Sequence, residues 1–260
     1  MYTNKEFLDF FEKSKKNTLD IVVVCVVKTQ GSTYSKTGNM LLINSNEEFV
    51  GVLGSPYLHK EVLEVSKEVL KTSTTKNLEF TPKDKDSGHG IITIKIEPFF
   101  YKQSYENLDK YLKHPFRVLI FGSGVHVSSF VSMANLMAWE TTVMDININK
   151  ENVKQTHHLI ELETLDEVFS KDLEKYQAAV ILSHNPKTDD KYLEALSKTK
   201  MQYIGMMGNK KNMQRKKQIF NLEDDKRFFA PIGFDIGSYT HQSIALSICS
   251  QIEARKNGKI

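Results

Sequence analysis

Val118-Leu119-Ile120-Phe121-Gly122-Ser123-Gly124, continuing to Asn147 as VHVSSFVSMANLMAWETTVMDIN, is the stretch that decides the fold. Four apolar residues of strand character run into a glycine turn. Val127, Phe130, Val131, Ala134 and Ala138 then recur at helical spacing. Thr141-Thr142-Val143-Met144 reads as a second strand, and Asp145 closes it. Strand, glycine turn, helix, strand and acid is the order of the opening βαβ unit of a dinucleotide-binding fold. The turn, Gly122-Ser123-Gly124, lets backbone N–H groups at the helix N-terminus face a phosphate. Asp145 stands close to the usual spacing of about 20 residues, where an acid can bind ribose hydroxyls. One position departs from the fingerprint G-x-G-x-x-G. The third glycine allows close packing of helix on strand, and Val127 stands in its place. Its Cβ and two methyls weaken the case for ordinary nicotinamide binding. A doubly wound domain with a repurposed phosphate turn is the competing reading.

The 260 residues are enough for two domains and a substantial core. Hydrophobic residues at 40% and charged residues at 26% describe a globular chain rather than a disordered one. A net charge of +3 gives no argument for a nucleic-acid partner. The longest apolar run, Ile21 to Val27, is too short to span a bilayer. The N-terminal MYTNKEFLDFFEKSKKN has no apolar signal core with a cleavage site. These features predict a cytoplasmic protein with no membrane partner. Cys25 sits in a strand pattern and Cys249 in a helix pattern, so both read as buried apolar filler, and no zinc-type spacing is present.

Outward from the central stretch, the N-terminal part reads as mixed α and β, ending near Phe100. Residues Asn4 to Lys16 predict a helix that Asn4 can cap. Ile21 to Val27 is a β-branched run typical of a strand buried on both faces. The loop after it, which includes Gly31, Ser32 and Thr33, is hydroxyl-rich. It reads equally as a polar ligand site and as a surface connection. Met40 to Ile43 and Phe49 to Leu53 predict two strands. Gly54-Ser55-Pro56 leads into a helix whose Leu58, Val62, Val65 and Val69 form one face, leaving His59 solvated. Leu78 to Phe80 and Ile91 to Ile96 are further strands around the turn-forming segment Thr81 to Gly90. Residues 101–115, polar and rich in Lys and Tyr, read as a linker.

The part from residue 116 to 260 predicts a Rossmann-like, doubly wound parallel sheet. Glu161 to Lys175 is acidic and partly helical. Ala178 to Leu182 is a buried strand that runs into Ser183-His184-Asn185-Pro186. Polar residues just past the carboxyl end of such a strand lie where open α/β sheets bind ligands, which makes His184 a candidate. A hydrogen-bonded loop residue is its alternative. Asp189 to Lys198 and Met213 to Phe220 are helices. Arg215, Lys216 and Lys217 of the second read as a solvated face, or as a helix start that meets a phosphate. Asp235, between two glycines in Phe229 to Gly237, either positions a ligand or ties the loop to its own backbone. Thr240 is a plausible N-cap for the last helix.

Several of these segments, in this order, resemble one family: the xanthine dehydrogenase accessory factors (XdhC/CoxI). The matching pieces are TQGSTYSKTGNMLL, GVLGSPYLHKEV, IKIEPF, IFGSGVH, LSHNPKTDDKYLEAL, YIGMMGNKKNMQR and APIGFDIGSYTHQSIALSI, which together cover nearly the whole chain. The resemblance implies a non-catalytic protein that binds the molybdenum cofactor, protects it and passes it to a molybdenum hydroxylase of the xanthine dehydrogenase type. It also implies a homo-oligomer. Gly122, Ser123 and Gly124 would hold the pterin phosphate, with Asp145, His184, Asp235, Gly31, Ser32, Thr33 and Tyr57 as further cofactor contacts. The chain departs from the family pattern at both of its cysteines. Tyr57 stands at the first, and Gly88-His89-Gly90 occupies the place of the second. A thiolate is a soft ligand suited to such metals, and a phenol is a much poorer one. Two alternatives stay open: an NAD(P)-dependent oxidoreductase, and a divergent paralogue that binds a partner enzyme without cofactor.

Overall fold

The computed structural model describes residues 2–54, 56–81 and 90–260. The predicted turn at Thr81 to Gly90, the Gly88-His89 pair and Ser55 lie wholly or partly outside those residues. The chain divides into two compact units, Met1–His114 and Pro115–Ile260.

In the first unit a five-stranded antiparallel sheet forms from β1 (Ile21–Gln30), β2 (Met40–Asn44), β3 (Phe49–Gly51), β4 (Lys76–Phe80) and β5 (Ile91–Phe99), in the order β3-β2-β1-β5-β4. The β-branched run is the central strand, and it is buried on both faces. Val22, Val24 and Val26 pack under Leu58, Val62 and Val69 of helix α2 (Pro56–Thr72). Ile21 and Val23 face the other way, onto Phe7 of helix α1 (Lys5–Lys16) and onto Tyr105 and Leu108. Alternation along one strand thus feeds two apolar layers. The Tyr101 to His114 segment is structured within this unit, and the Tyr105 hydroxyl donates to the Leu19 carbonyl at 2.8 Å. Asn4 occupies the N-cap position of α1, but its side chain makes no cap hydrogen bond. His59 is not a solvated helix residue. Its Nε2 accepts the Leu53 backbone N–H at 3.1 Å, and burial lowers its pKa.

The second unit is a six-stranded sheet of β6 (Arg117–Phe121), β7 (Glu140–Asp145), β8 (His158–Glu161), β9 (Ala178–Ile181), β10 (Tyr203–Met206) and β11 (Phe228–Phe229). Every pairing is parallel, and the order is β11-β10-β9-β6-β7-β8. This is the doubly wound order predicted from the βαβ unit. Leu119, Phe121, Ala179, Ile181 and Ile204 face Tyr192, Leu193 and Leu196 of α4 (Pro186–Ser197) and Met213 of α5 (Lys210–Ile219). On the other side α3 (Val125–Leu136) packs on α6 (His241–Lys256). Val127 is wholly buried at the start of α3. Strand β8 lies just before the stretch that the sequence reads as acidic and partly helical, shares only Glu161 with it, and has no counterpart among the predicted elements. Two features extend the predicted elements: α4 starts at Pro186, and α5 starts at Lys210. Lys216 of α5 is buried against Asp190 rather than solvated. Among the described residues, no helix is long and apolar enough to cross a membrane.

Candidate functional site

The chain winds one way from β6 and the other way from β9, so the carboxyl ends of these neighbouring strands open a crevice. Gly122 and Ser183 line it from the two strands. Gly122 has φ of +115°, and a Cβ there would lie 2.9 Å from Leu182 C and Ser183 N. Conformation and space both require glycine. Gly124 differs. A Cβ on it would meet nothing within 4 Å, so open space lies over the turn. Ser123 is held from the far side. Its Oγ accepts the Asn149 N–H at 3.0 Å, and its carbonyl accepts Asn152 Nδ2 at 2.9 Å.

Four helices start at this carboxyl edge, and their caps differ. The Asn185 side chain accepts the Lys187 N–H at α4, and Asn209 accepts Asn212 N–H at α5. Thr240 forms a reciprocal capping box with Ser243 at α6, as its sequence position predicted. Helix α3 begins on Gly124 with no side-chain cap. A helix N-terminus carries about half a positive charge and unpaired N–H groups. At α3 these groups are open to a ligand, next to the open face of Gly124.

Asp145 ends β7 as expected, but it is only 7% exposed. Its Oδ1 accepts the Tyr192 hydroxyl at 2.5 Å and the Ile146 N–H at 2.8 Å. Burial raises its pKa, while bonds from Tyr192, Ile146 and the Gly122 N–H pull it back down. The Tyr192 ring stacks on Phe121, with centroids 4.1 Å apart. The carboxylate therefore braces the glycine turn from within the protein.

His184 lies past β9 with φ of +55° and an exposed side chain. Its ring is 5.2 Å from that of His126, in the first turn of α3. Nδ1 of His126 is buried without a hydrogen-bond partner. Burial, His184 and His241 all lower the pKa of His126. His241, the first residue of α6, pairs its Nδ1 with Ser129 Oγ at 2.6 Å. His126 and His241 drew no notice in the sequence. A usable signal was position, since each stands in the first turn of a helix that starts at the carboxyl edge. Beside them Ser183 donates to Asp189, a buried acid whose pKa burial raises.

Asp235 is exposed and accepts the Gly237 N–H at 3.4 Å, so of its two readings the loop tie is the one made here. Its loop lines a cavity of about 220 Å³ with Met207, Phe234 and Ile244. The same loop is keyed to the sheet at Gly205, where a Cβ would collide with the Ile232 side chain.

Gly31, Ser32, Thr33 and Tyr57 all belong to the first unit. Gly31 and Ser32 are exposed. The Thr33 hydroxyl donates to the Ser35 carbonyl at 2.7 Å, and the Ser32 carbonyl accepts the Gly90 N–H at 2.5 Å. Tyr57 is 52% exposed in the first turn of α2, its ring 6.1 Å from Phe80. Burial pushes the Cys249 thiol up to about 12 and raises that of Cys25, so neither is a thiolate near neutral pH. Among the described residues, no three His, Cys, Asp or Glu side chains are placed to hold a metal ion.

Comparison with known proteins gives two family matches. Residues 118–252, just over half of the chain, match the XdhC Rossmann domain. Residues 16–81 match the XdhC and CoxI family. The uncharacterized protein YqeB of Escherichia coli (strain K12) is 22% identical over 263 residues. That match takes in 94% of this chain and 45% of YqeB, so the chain spans about half the length of this curated relative. A crystal structure of a xanthine dehydrogenase from Bacillus halodurans superposes with a TM-score of 0.81 at 18% identity. The match covers 100% of this chain and 97% of that one, and at such identity it speaks to the fold.

Proposed function

The chain belongs to the XdhC family, and from that premise we propose that it is a non-catalytic accessory protein for a molybdenum hydroxylase of the xanthine dehydrogenase type. Its task is to bind the molybdenum cofactor and deliver it to that client. The observation that carries this reading is the uncapped N-terminus of α3 over the open face of Gly124. Such a terminus suits the phosphate of a pterin. Ser123, fixed by Asn149 and Asn152, gives the turn the rigidity that recognition needs.

The metal end of the cofactor fits less well. Neither cysteine offers a thiolate, and Tyr57 stands where the family has a thiol. The proposal therefore holds the cofactor by its phosphate and ring, with no protein sulfur on the metal.

The doubly wound order and glycine turn favour one second reading, a nicotinamide dinucleotide. Asp145 argues for ranking it lower, because its carboxylate is committed to Tyr192. Purified protein mixed with molybdenum cofactor should emerge from gel filtration with pterin fluorescence attached. Absence of pterin at micromolar protein, together with a saturable NADH titration, would reverse the ranking. A pull-down that recovers the hydroxylase from pterin-free protein would instead support a partner-binding paralogue.

A further inference from the structure

The carboxyl end of β10 holds a cavity of about 220 Å³, apart from the glycine turn. Strand β9 stands between β10 and β6, which puts those two strand ends about 10 Å apart at the usual spacing. Met207, just past β10, and the loop 231–238 form the cavity walls with Ile244 of α6. The loop is fixed from two sides. The Ile232 N–H donates to the Met206 carbonyl at 3.0 Å, and the Gly233 N–H donates to Gln251 Oε1 at 2.9 Å. The walls are largely apolar, and Phe234 and Ile236 keep exposed surface.

Asp235, Ser238 and Ser247 are the polar side chains of the lining. Both serine hydroxyls already donate, to the carbonyls of Ser243 and Ile244, so their remaining capacity is to accept. The Asp235 carboxylate accepts only a long bond from the Gly237 N–H, at 3.4 Å. Among the described residues, no basic side chain lines the cavity. These side chains offer acceptors and no donor. A ligand that takes the place of water here has to bring its own N–H groups, because polar groups left unpaired cost affinity.

We infer that Asp235 and the loop 231–238 recognise a flat heterocycle by its aminopyrimidinone edge, the edge that pterins and guanine share. That edge sets a ring N–H and an amino group side by side, which matches the two oxygens of one carboxylate. The ring faces suit Phe234, Ile232 and Ile236. A compact alkylammonium also brings donors, but it leaves those apolar walls uncovered. The inference rests on the function proposed above only in counting the cofactor's pterin as one source of this edge. A guanine nucleotide is the other source.

The test uses the full chain with pterin and lumazine, which differ by an amino group against a carbonyl. Pterin fluorescence should change on a saturable curve as protein is added, and lumazine should bind at least tenfold more weakly. Asp235→Asn should weaken pterin about tenfold, the loss of one charge-assisted hydrogen bond. Guanosine and inosine, a second pair with and without the amino group, are compared by calorimetry. Guanosine at least tenfold tighter than inosine assigns the edge to a base, and pterin binding alone assigns it to the cofactor ring. Either result supports the inference. Lumazine as tight as pterin, butylamine displacing pterin at equal concentration, or wild-type affinity in Asp235→Asn overturns it. So does the failure of both pterin and guanosine to bind at hundreds of micromolar protein. The wild-type comparison of pterin with lumazine stands even where the variant folds poorly. Equal retention of the whole cofactor by wild type and Asp235→Asn, with no binding of pterin itself or of guanosine, sinks this inference alone. Protein that binds pterin through Asp235 but never retains the cofactor sinks the cofactor reading alone.

Discussion

Tyr192 donates its hydroxyl to Asp145 at 2.5 Å, and that bond joins the end of β7 to α4 behind the glycine turn. Replacing Tyr192 by Phe keeps the stack on Phe121 and removes only the donor. A buried acceptor left short of a partner costs about 1–3 kcal/mol. Urea unfolding of the second unit should therefore show a loss of that size. A change too small to measure would mean that Asp145 relies on its backbone donors alone.

The two glycines of the turn should separate folding from binding. Gly122→Ala forces a methyl against Leu182 and Ser183 at positive φ, so both stability and ligand retention should fall. Gly124→Ala meets nothing in the protein and should melt like the wild type. Its methyl enters the space over the turn, so retained pterin should drop at least tenfold. Wild-type retention by a stable Gly124→Ala protein would place the ligand elsewhere.

Acid should act on the first unit through Glu97. Its burial alone would raise the pKa, but hydrogen bonds from Lys110, Lys95 and Tyr111 outweigh that and bring it to about 2. The unfolded carboxyl titrates near 4.3. A depressed folded value adds stability above the unfolded pKa, and that stability is lost as pH falls toward about 2. Melting of wild type and Glu97→Gln should thus converge as pH drops from about 5 to about 2, with the variant less stable at neutral pH. Parallel pH curves would assign the acid response to other groups.

Tyr57→Cys restores a thiol in the first turn of α2. A cysteine at a helix N-terminus has a lowered pKa and is largely thiolate near neutral pH. If the missing sulfur limits grip on the metal, molybdenum retained per pterin should rise several-fold by elemental analysis. An unchanged ratio would show that this position does not reach the metal.

Much of this fold was legible because it is local. The run at β1 and the βαβ unit announce themselves through spacing within about 30 residues, the reach of one such unit. Strand β8 escaped notice because it is an edge strand with mostly exposed side chains, which leaves no alternation to read. The site was less legible. Asp145 was found by spacing, but its direction depends on Tyr192, 47 residues away. His241 reaches Ser129 across 112 residues. No window along the chain contains both partners, so only the topology brings them together. The two glycines looked alike in sequence, although one is enclosed by backbone and the other faces open space.

The contact between Gly205 and Ile232 has a consequence for how this chain can change over generations. The space a side chain would need on β10 is already filled by the Ile232 side chain. A larger residue at 205 would press on the Ile232 and Tyr203 side chains together, so it would have to push back the loop that carries Ile232. The loop they fasten leads directly to Thr240 and His241. A substitution in the middle of a strand that carries no candidate ligand would thus be felt first in the loop that leads to His241.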